Sequence, residues 1–281
     1  MSGYVFTHNN ALDAAVEAWI SDQAAATATY GDINTWDVSA VTDFSYVFAH
    51  GRASFNSDIS NWDVGNGTNF NSMFRGNHAF NQDIGGWDMS SAQTLSYMFH
   101  DATSFNQDLS SWDVSNVTEF WRTFSANIYS SSSPPMSFNG DITTWDVSSG
   151  NKFSSMFEGN TVFNQDIGGW DFSSTPLINF GAMFNGATSF NQDISGWDVG
   201  SGTDFSGMFN NADAFNQDIG SWNVSSGNAF TWMFSGADAF NQDIGRWDVV
   251  AGNDFSGMFV EASSFNQDIG NWNVRNGTKF D

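Results

Sequence analysis

Cysteine is absent from the 281 residues, which removes disulfide frameworks and thiolate metal sites and leaves the redox compartment open. Cations are scarce: 7 Lys plus Arg stand against 31 Asp plus Glu, for a formal charge of -24 at pH 7. A surface of that sign repels a phosphate backbone and no basic stripe offsets it, so no nucleic-acid partner is expected. No apolar run approaches the roughly 18 residues that read as a membrane-spanning helix, so direct membrane insertion is not expected either. The opening residues MSGYVFTHNN hold no basic stretch followed by an apolar one, and no secretion signal is read from them. Proline occurs three times, at Pro134, Pro135 and Pro176.

The apolar content is carried by 29 Phe and 13 Trp. It recurs in a pattern W-[DN]-V-x5-F-x2-M-F-x5-F-N-Q-D-I-x2-W, with tryptophans at Trp36, Trp62, Trp87, Trp112, Trp145, Trp170, Trp197, Trp222, Trp247 and Trp272. Their separations are 26, 25, 25, 33, 25, 27, 25, 25 and 25 residues. Such constancy, broken only by insertions, predicts about ten stacked coils of roughly 25 residues, an α/β repeat solenoid. Phe70, Met73 and Phe74 fall at i, i+3 and i+4, the spacing of one face of a helical turn. Phe80-Asn81-Gln82-Asp83-Ile84 alternates as a short strand does. Stacking then places Phe80 on Phe105, Ile84 on Leu109 and Trp87 on Trp112, with narrow parallel sheets between coils.

Two segments are expected. Residues 1–29 read as an N-terminal capping segment with a helix, started by Asn9 or Asn10, running to about Ala26 and carrying an apolar stripe of Leu12, Ala15, Val16, Trp19 and Ile20. Residues 30–281 read as the solenoid, with an inserted loop at about 127–136. Eight extra residues there bring Asn127-Ile128-Tyr129, four serines, Pro134 and Pro135. Smaller bulges fall beside Pro176 and near Gly51.

The strings FNQDLSSWDVSNVTEF at 105–120 and FNQDISGWDVGSGTDFSGMF at 190–209 resemble the BspA-like surface-protein repeat, a domain of unknown function first recognised in mycoplasma lipoproteins. The likeness extends over about residues 30 to 281. It implies a leucine-rich-repeat-like solenoid, extracellular or attached to a cell surface, with adhesive roles and no catalytic residues. The chain shows neither a lipobox cysteine nor an evident anchor.

Candidate chemistry is sparse. Stacked carboxylates at Asp83, Asp108, Asp166, Asp193, Asp218 and Asp243, within a ladder from Asp58 to Asp268, are weak Ca²⁺ candidates, because hard cations take oxygen ligands. The competing reading gives each carboxylate to the backbone N–H groups of its own turn, a role Asn223 and Asn273 fill equally well in the second ladder that follows the tryptophans. A carboxylate pair could in principle run glycoside hydrolysis. Nine nearly equivalent positions argue against that, since catalysis needs one specialised environment. His50, His78 and His100 follow the helical-turn segment of successive units and form a faint metal candidate, while His8 stands apart. Tyr46, Tyr97 and Trp232 share one repeat position, Trp121 lies one place earlier, and Tyr129 sits in the insertion. These five form a possible binding surface for protein or glycan. Phe255, Phe259, Trp272 and Phe280 form a possible association end, and with it a possible homodimer. The expectation is a non-catalytic structural or adhesive scaffold without cofactors that mediates protein or glycan recognition or assembly. A calcium-dependent adhesin is the alternative, and a glycoside hydrolase the less favoured one.

Overall fold

The computed structural model describes residues 3–49, 51–129 and 134–281. Alanine-rich sequence with high helix propensity opens it. Helix α1 spans Asn9–Ser21 and α2 spans Gln23–Tyr30. The single helix expected to run to about Ala26 is therefore two. Asp22 takes an extended conformation that ends α1, and its carboxylate accepts from Ala25 N at 3.0 Å, capping α2. Neither Asn9 nor Asn10 is the cap of α1. His8 holds that position without a side-chain bond, and the Asn9 amide instead donates to the carbonyls of Asp43 and Ser45 at 3.1 and 2.9 Å. Leu12, Ala15, Val16 and Trp19 bury the inner face of α1, while Ile20 stays half-buried. Trp19 meets Trp36 edge-on at 5.9 Å and donates to Ser57 Oγ. Buried Arg52 reaches back to Asp13 at 2.5 Å and Glu17 at 3.1 Å, fastening the helix to the first aromatic unit.

Regular structure ends almost there. A short 3₁₀ turn at Ile33–Thr35 and a parallel pair, β1 (Ile178–Asn179) and β2 (Gly202–Asp204), are the remaining elements among the described residues. The expected α/β, leucine-rich-repeat-like solenoid, with its helical turns and narrow parallel sheets, is thereby overturned. Between α2 and the C-terminus the described chain is a succession of turns and bends joined by single parallel bridges, such as Asp43↔Asn69, Asn69↔Thr94 and Thr94↔Glu119.

The physical reason lies in where the N–H groups go. Along the stretch expected to be helical, Met73 and Arg75 donate three residues back, to Phe70 O and Ser72 O. Phe70, Ser72, Phe74 and Gly76 donate to Thr94, Ser96, Met98 and His100, one unit on. No i to i−4 ladder forms, and Ser72 between them sits at φ 57°. The i, i+3, i+4 spacing thus marks two rings and one thioether buried on one side of overlapping turns. The FNQDI segment also lacks a backbone ladder, because side chains replace it. Asn81 N donates to Asn56 Oδ1 at 2.9 Å, Gln82 Nε2 to Asn56 O at 3.0 Å, and the same contacts recur at Asn106–Asn81, Asn216–Asn191, Asn241–Asn216 and Asn266–Asn241.

The core is a set of aromatic columns. Phe80 and Phe105 stack at 5.9 Å and 7°, and Phe184 and Phe209 at 5.7 Å and 6°. Trp170, Trp197 and Trp222 lie nearly parallel at 6.4 and 6.3 Å. From Trp62 onward each repeat indole also donates to the preceding unit: Trp62 to Ile33 O at 2.8 Å, Trp112 to Ile84 O at 3.0 Å and Trp197 to Ile167 O at 2.9 Å. A ring large enough to fill the layer thus satisfies its own N–H without leaving the core.

Candidate functional site

One repeat position projects side chains from a left-handed backbone. Tyr46, Ser72, Tyr97, Arg122, Ser155, Ala182, Gly207, Trp232 and Gly257 all have φ between 55° and 63°. That region is costly for bulky residues and free for glycine, so Tyr46, Tyr97, Arg122 and Trp232 are held where a glycine would sit without strain. Tyr46 and Trp232 are 42% and 49% exposed, and Trp121, one place earlier, is 41% exposed.

Trp232 lies face-down on its neighbour. A Cβ at Gly257 would meet Trp232 Cδ2 and Cε2 at 3.3 Å and Cε3 at 3.6 Å, nearly equal distances that put the point over the ring face. The bare glycine is therefore the floor on which the indole rests, with Trp232 still 49% exposed. Tyr97 and Trp121 meet edge-on at 4.8 Å, and the Arg75 guanidinium lies over the Tyr97 ring at 5.0 Å. Tyr129, the other aromatic of the expected surface, stands 79% exposed on the insertion.

Behind this surface runs a buried polar network that the sequence reading passed over. Arg122 Nη2 sits 2.7 Å from Glu158 Oε2, and Asn185 Nδ2 donates to Glu158 Oε1 at 3.1 Å. Burial pushes the Glu158 carboxyl up from its usual range, against the opposing pull of Arg122. His100 Nδ1 lies 2.8 Å from Ser125 Oγ, and its Nε2 lies 3.4 Å from Asp101 Oδ2. The three side chains have the composition of a nucleophilic triad, held in a different set of bonds. Ser125 Oγ donates to Arg122 O at 2.9 Å, Asp101 Oδ1 accepts from Asn127 N at 2.7 Å, and both Ser125 and His100 are buried. Nothing in that arrangement presents an activated hydroxyl to a substrate. It fastens the start of the insertion instead. A signal was present in the sequence: one repeat position reads Arg75, His100, Ser125, Glu158 and Asn185 in successive units, polar residues immediately after a buried phenylalanine.

The aspartate ladder is engaged locally. Oδ1 of Asp83, Asp108, Asp166, Asp193, Asp218 and Asp243 accepts the N–H two residues on at 2.9 to 3.1 Å. The backbone bonds from Ser110 and Ser195 hold the Asp108 and Asp193 carboxyls below the usual range. In the second ladder Asn223 Oδ1 accepts from Ser225 N at 3.2 Å, the same turn without a charge. Among the described residues no group of three His, Asp or Glu is placed to hold a metal ion. His50 lies outside the described residues, as do the serines 130–133 of the insertion, while His78 contacts Thr103 at 3.5 Å and His100 is buried.

At the C-terminal face Phe255, Met258, Phe259, Ile269, Trp272 and Phe280 line an open apolar cavity of about 650 Å³, with Phe280 57% exposed. The Phe255 and Phe280 rings stack at 5.6 Å. No helix among the described residues is long and apolar enough to cross a membrane.

No curated protein and no solved structure matches the chain. A family described as Mycoplasma protein of unknown function, DUF285, matches residues 18–134, 133–215 and 178–281, which takes in nearly all of the layers and the aromatic surface just described. The chain belongs to the DUF285 family.

Proposed function

We propose that the protein is a non-catalytic scaffold whose exposed aromatic residues recognise a glycan or a protein. The observation that carries this reading is Trp232, held at φ 59° with its indole against Gly257 and the residue still 49% exposed. A large ring kept on a strained backbone position, where a sister layer has glycine, is a side chain displayed for contact. The FNQD-[IL]-x2-W strings support kinship with BspA-like surface proteins, and with it an extracellular or surface-attached location. The local engagement of each aspartate Oδ1 favours recognition without Ca²⁺ over a calcium-dependent adhesin. The occupied Ser125 hydroxyl and the sameness of the carboxylate turns speak against hydrolysis.

A glycan array and a panel of extracellular proteins, probed with the wild-type chain and with Trp232→Ala, test this. Binding that falls at least tenfold in the variant, with an unchanged melting temperature, is expected. Absence of any bound glycan or protein, or binding that Trp232→Ala leaves untouched while Trp121→Ala also leaves it untouched, overturns the reading.

A further inference from the structure

We propose that Arg75, Tyr97 and Trp121 form a subsite for a carboxylate-bearing sugar, an inference that rests on the recognition reading above and narrows its ligand to acidic glycans. The chain has only 7 Lys plus Arg. Arg52, Arg122, Lys152 and Lys279 pair with carboxylates, whereas Arg75, Arg246 and Arg275 have no carboxylate partner among the described residues. Of those three, Arg75 alone lies over an aromatic ring.

The stacking matters for chemistry as well as position. The exposed Arg75 guanidinium lies 5.0 Å from the Tyr97 ring centroid with no carboxylate partner among the described residues, and a planar guanidinium fork matches the two oxygens of a carboxylate. Trp121 adjoins the same tyrosine at 4.8 Å and is 41% exposed, so a pyranose C–H face can rest on the indole while a neighbouring carboxylate meets Arg75. The two centroid distances keep guanidinium and indole within reach of one disaccharide.

The second cation of the patch reinforces the first. Arg122 stands on the layer next to Tyr97 and its partner Glu158 is 1% exposed, so the carboxylate is withdrawn into the core while the Arg122 side chain remains 19% exposed. On a body of charge -24 an anionic ligand is repelled almost everywhere. Arg75, with no carboxylate partner among the described residues, and the partly exposed Arg122 give this patch cationic groups, and the surrounding repulsion disfavours binding at any other register.

The test compares a glucuronate-containing oligosaccharide with the same oligosaccharide after its carboxyls are reduced to alcohols, by calorimetric titration of the full chain. Wild type is expected to bind the acid at least tenfold more tightly. Arg75→Ala removes that preference, Arg75→Lys restores it only in part because a point charge replaces the fork, and Trp121→Ala weakens both forms alike. Arg75 and Trp121 are exposed, and equal melting temperatures establish that the variants fold. Equal affinity for the acidic and reduced sugars, a preference surviving Arg75→Ala, or equally tight binding of a glutamate-rich peptide overturns the inference. If neutral glycans still bind in a Trp232-dependent way, the broader recognition reading stands without it, whereas loss of all glycan and protein binding on the arrays defeats both.

Discussion

Trp197 sits 3% exposed between Trp170 and Trp222, parallel to each within 4°, and donates to Ile167 O. Replacing it by alanine removes a filled layer and strands a carbonyl, so a loss of about 3 to 5 kcal/mol is expected. Urea unfolding measures it, and an unchanged midpoint would place the ring outside the core. His100 offers a different readout. Burial and the nearby Arg122 and Arg75 hold its pKa down to about 4 against the usual 6.5, with Asp101 pulling the other way. Because the folded value lies below the unfolded one, the folded protein binds fewer protons between the two. The stability held above about pH 6.5 therefore drains as pH falls toward about 4. His100→Asn keeps a donor for Ser125 and does not titrate, so its melting temperature should fall less than that of wild type between pH 7 and pH 4.5. Scanning calorimetry at the two pH values decides, and equal falls would assign the acid sensitivity to other groups.

The insertion shows how an added segment is tied into an otherwise regular layer. It leaves after Ala126, whose N–H donates to Glu158 O at 2.7 Å, and returns at Met136, whose N–H donates to Gly159 O at 3.2 Å. Met136 is fully buried, so the expected loop at about 127–136 ends on a core residue. Gly159 sits at φ 69°, and a Cβ there would strike Ile128 Cγ2 at 2.5 Å, which fixes where the segment crosses. Deleting residues 127–134 restores the six-residue step between the two phenylalanines that Phe99 and Phe105 show. A cooperative melt within a few degrees of wild type is expected for that deletion, and a markedly lower one when Met136 is removed as well. Circular dichroism melts separate the two. Much of this was legible in sequence. The tryptophan spacing marked the rings that stack on one another, though not the α/β solenoid read from it, and the shared position of Tyr46 and Trp232 marked two exposed aromatics, with Tyr97 there half-buried. The local conformation was not legible, because Phe70, Met73 and Phe74 satisfy helical spacing while their N–H groups answer to the next layer. Asn81 and Asp83 equally hid that side chains, and not a strand ladder, carry the FNQDI contacts. The polar residue after each buried phenylalanine marked Glu158, but nothing in the spacing named Arg122, 36 residues away, as its partner.

At the scale of the whole molecule, charge and apolar ends oppose each other. We propose that two copies of this chain pair through the face of Phe255, Phe259, Trp272 and Phe280, against the repulsion of two bodies of charge -24 that salt screens. Light scattering on this chain is expected to show concentration-dependent association that grows between low and high salt and is abolished by Phe280→Asp. A monomer under every condition would dispose of the homodimer. The exposed carboxylates also make the fold salt-dependent in stability, since the few paired surface lysines offset their repulsion only weakly. The contacts between layers carry a consequence for the gene as well. Because Asn in one layer accepts from the next while Gln and Trp donate to the layer before, any layer fits above any other that keeps those residues. Recombination between misaligned repeats, gaining or losing a whole unit of 25 codons, would then change the length of the molecule without creating a single new kind of interface. The number of layers is thus a quantity that inheritance can adjust in whole steps, while the surface residues at positions such as 97, 121 and 232 are free to diverge one layer at a time.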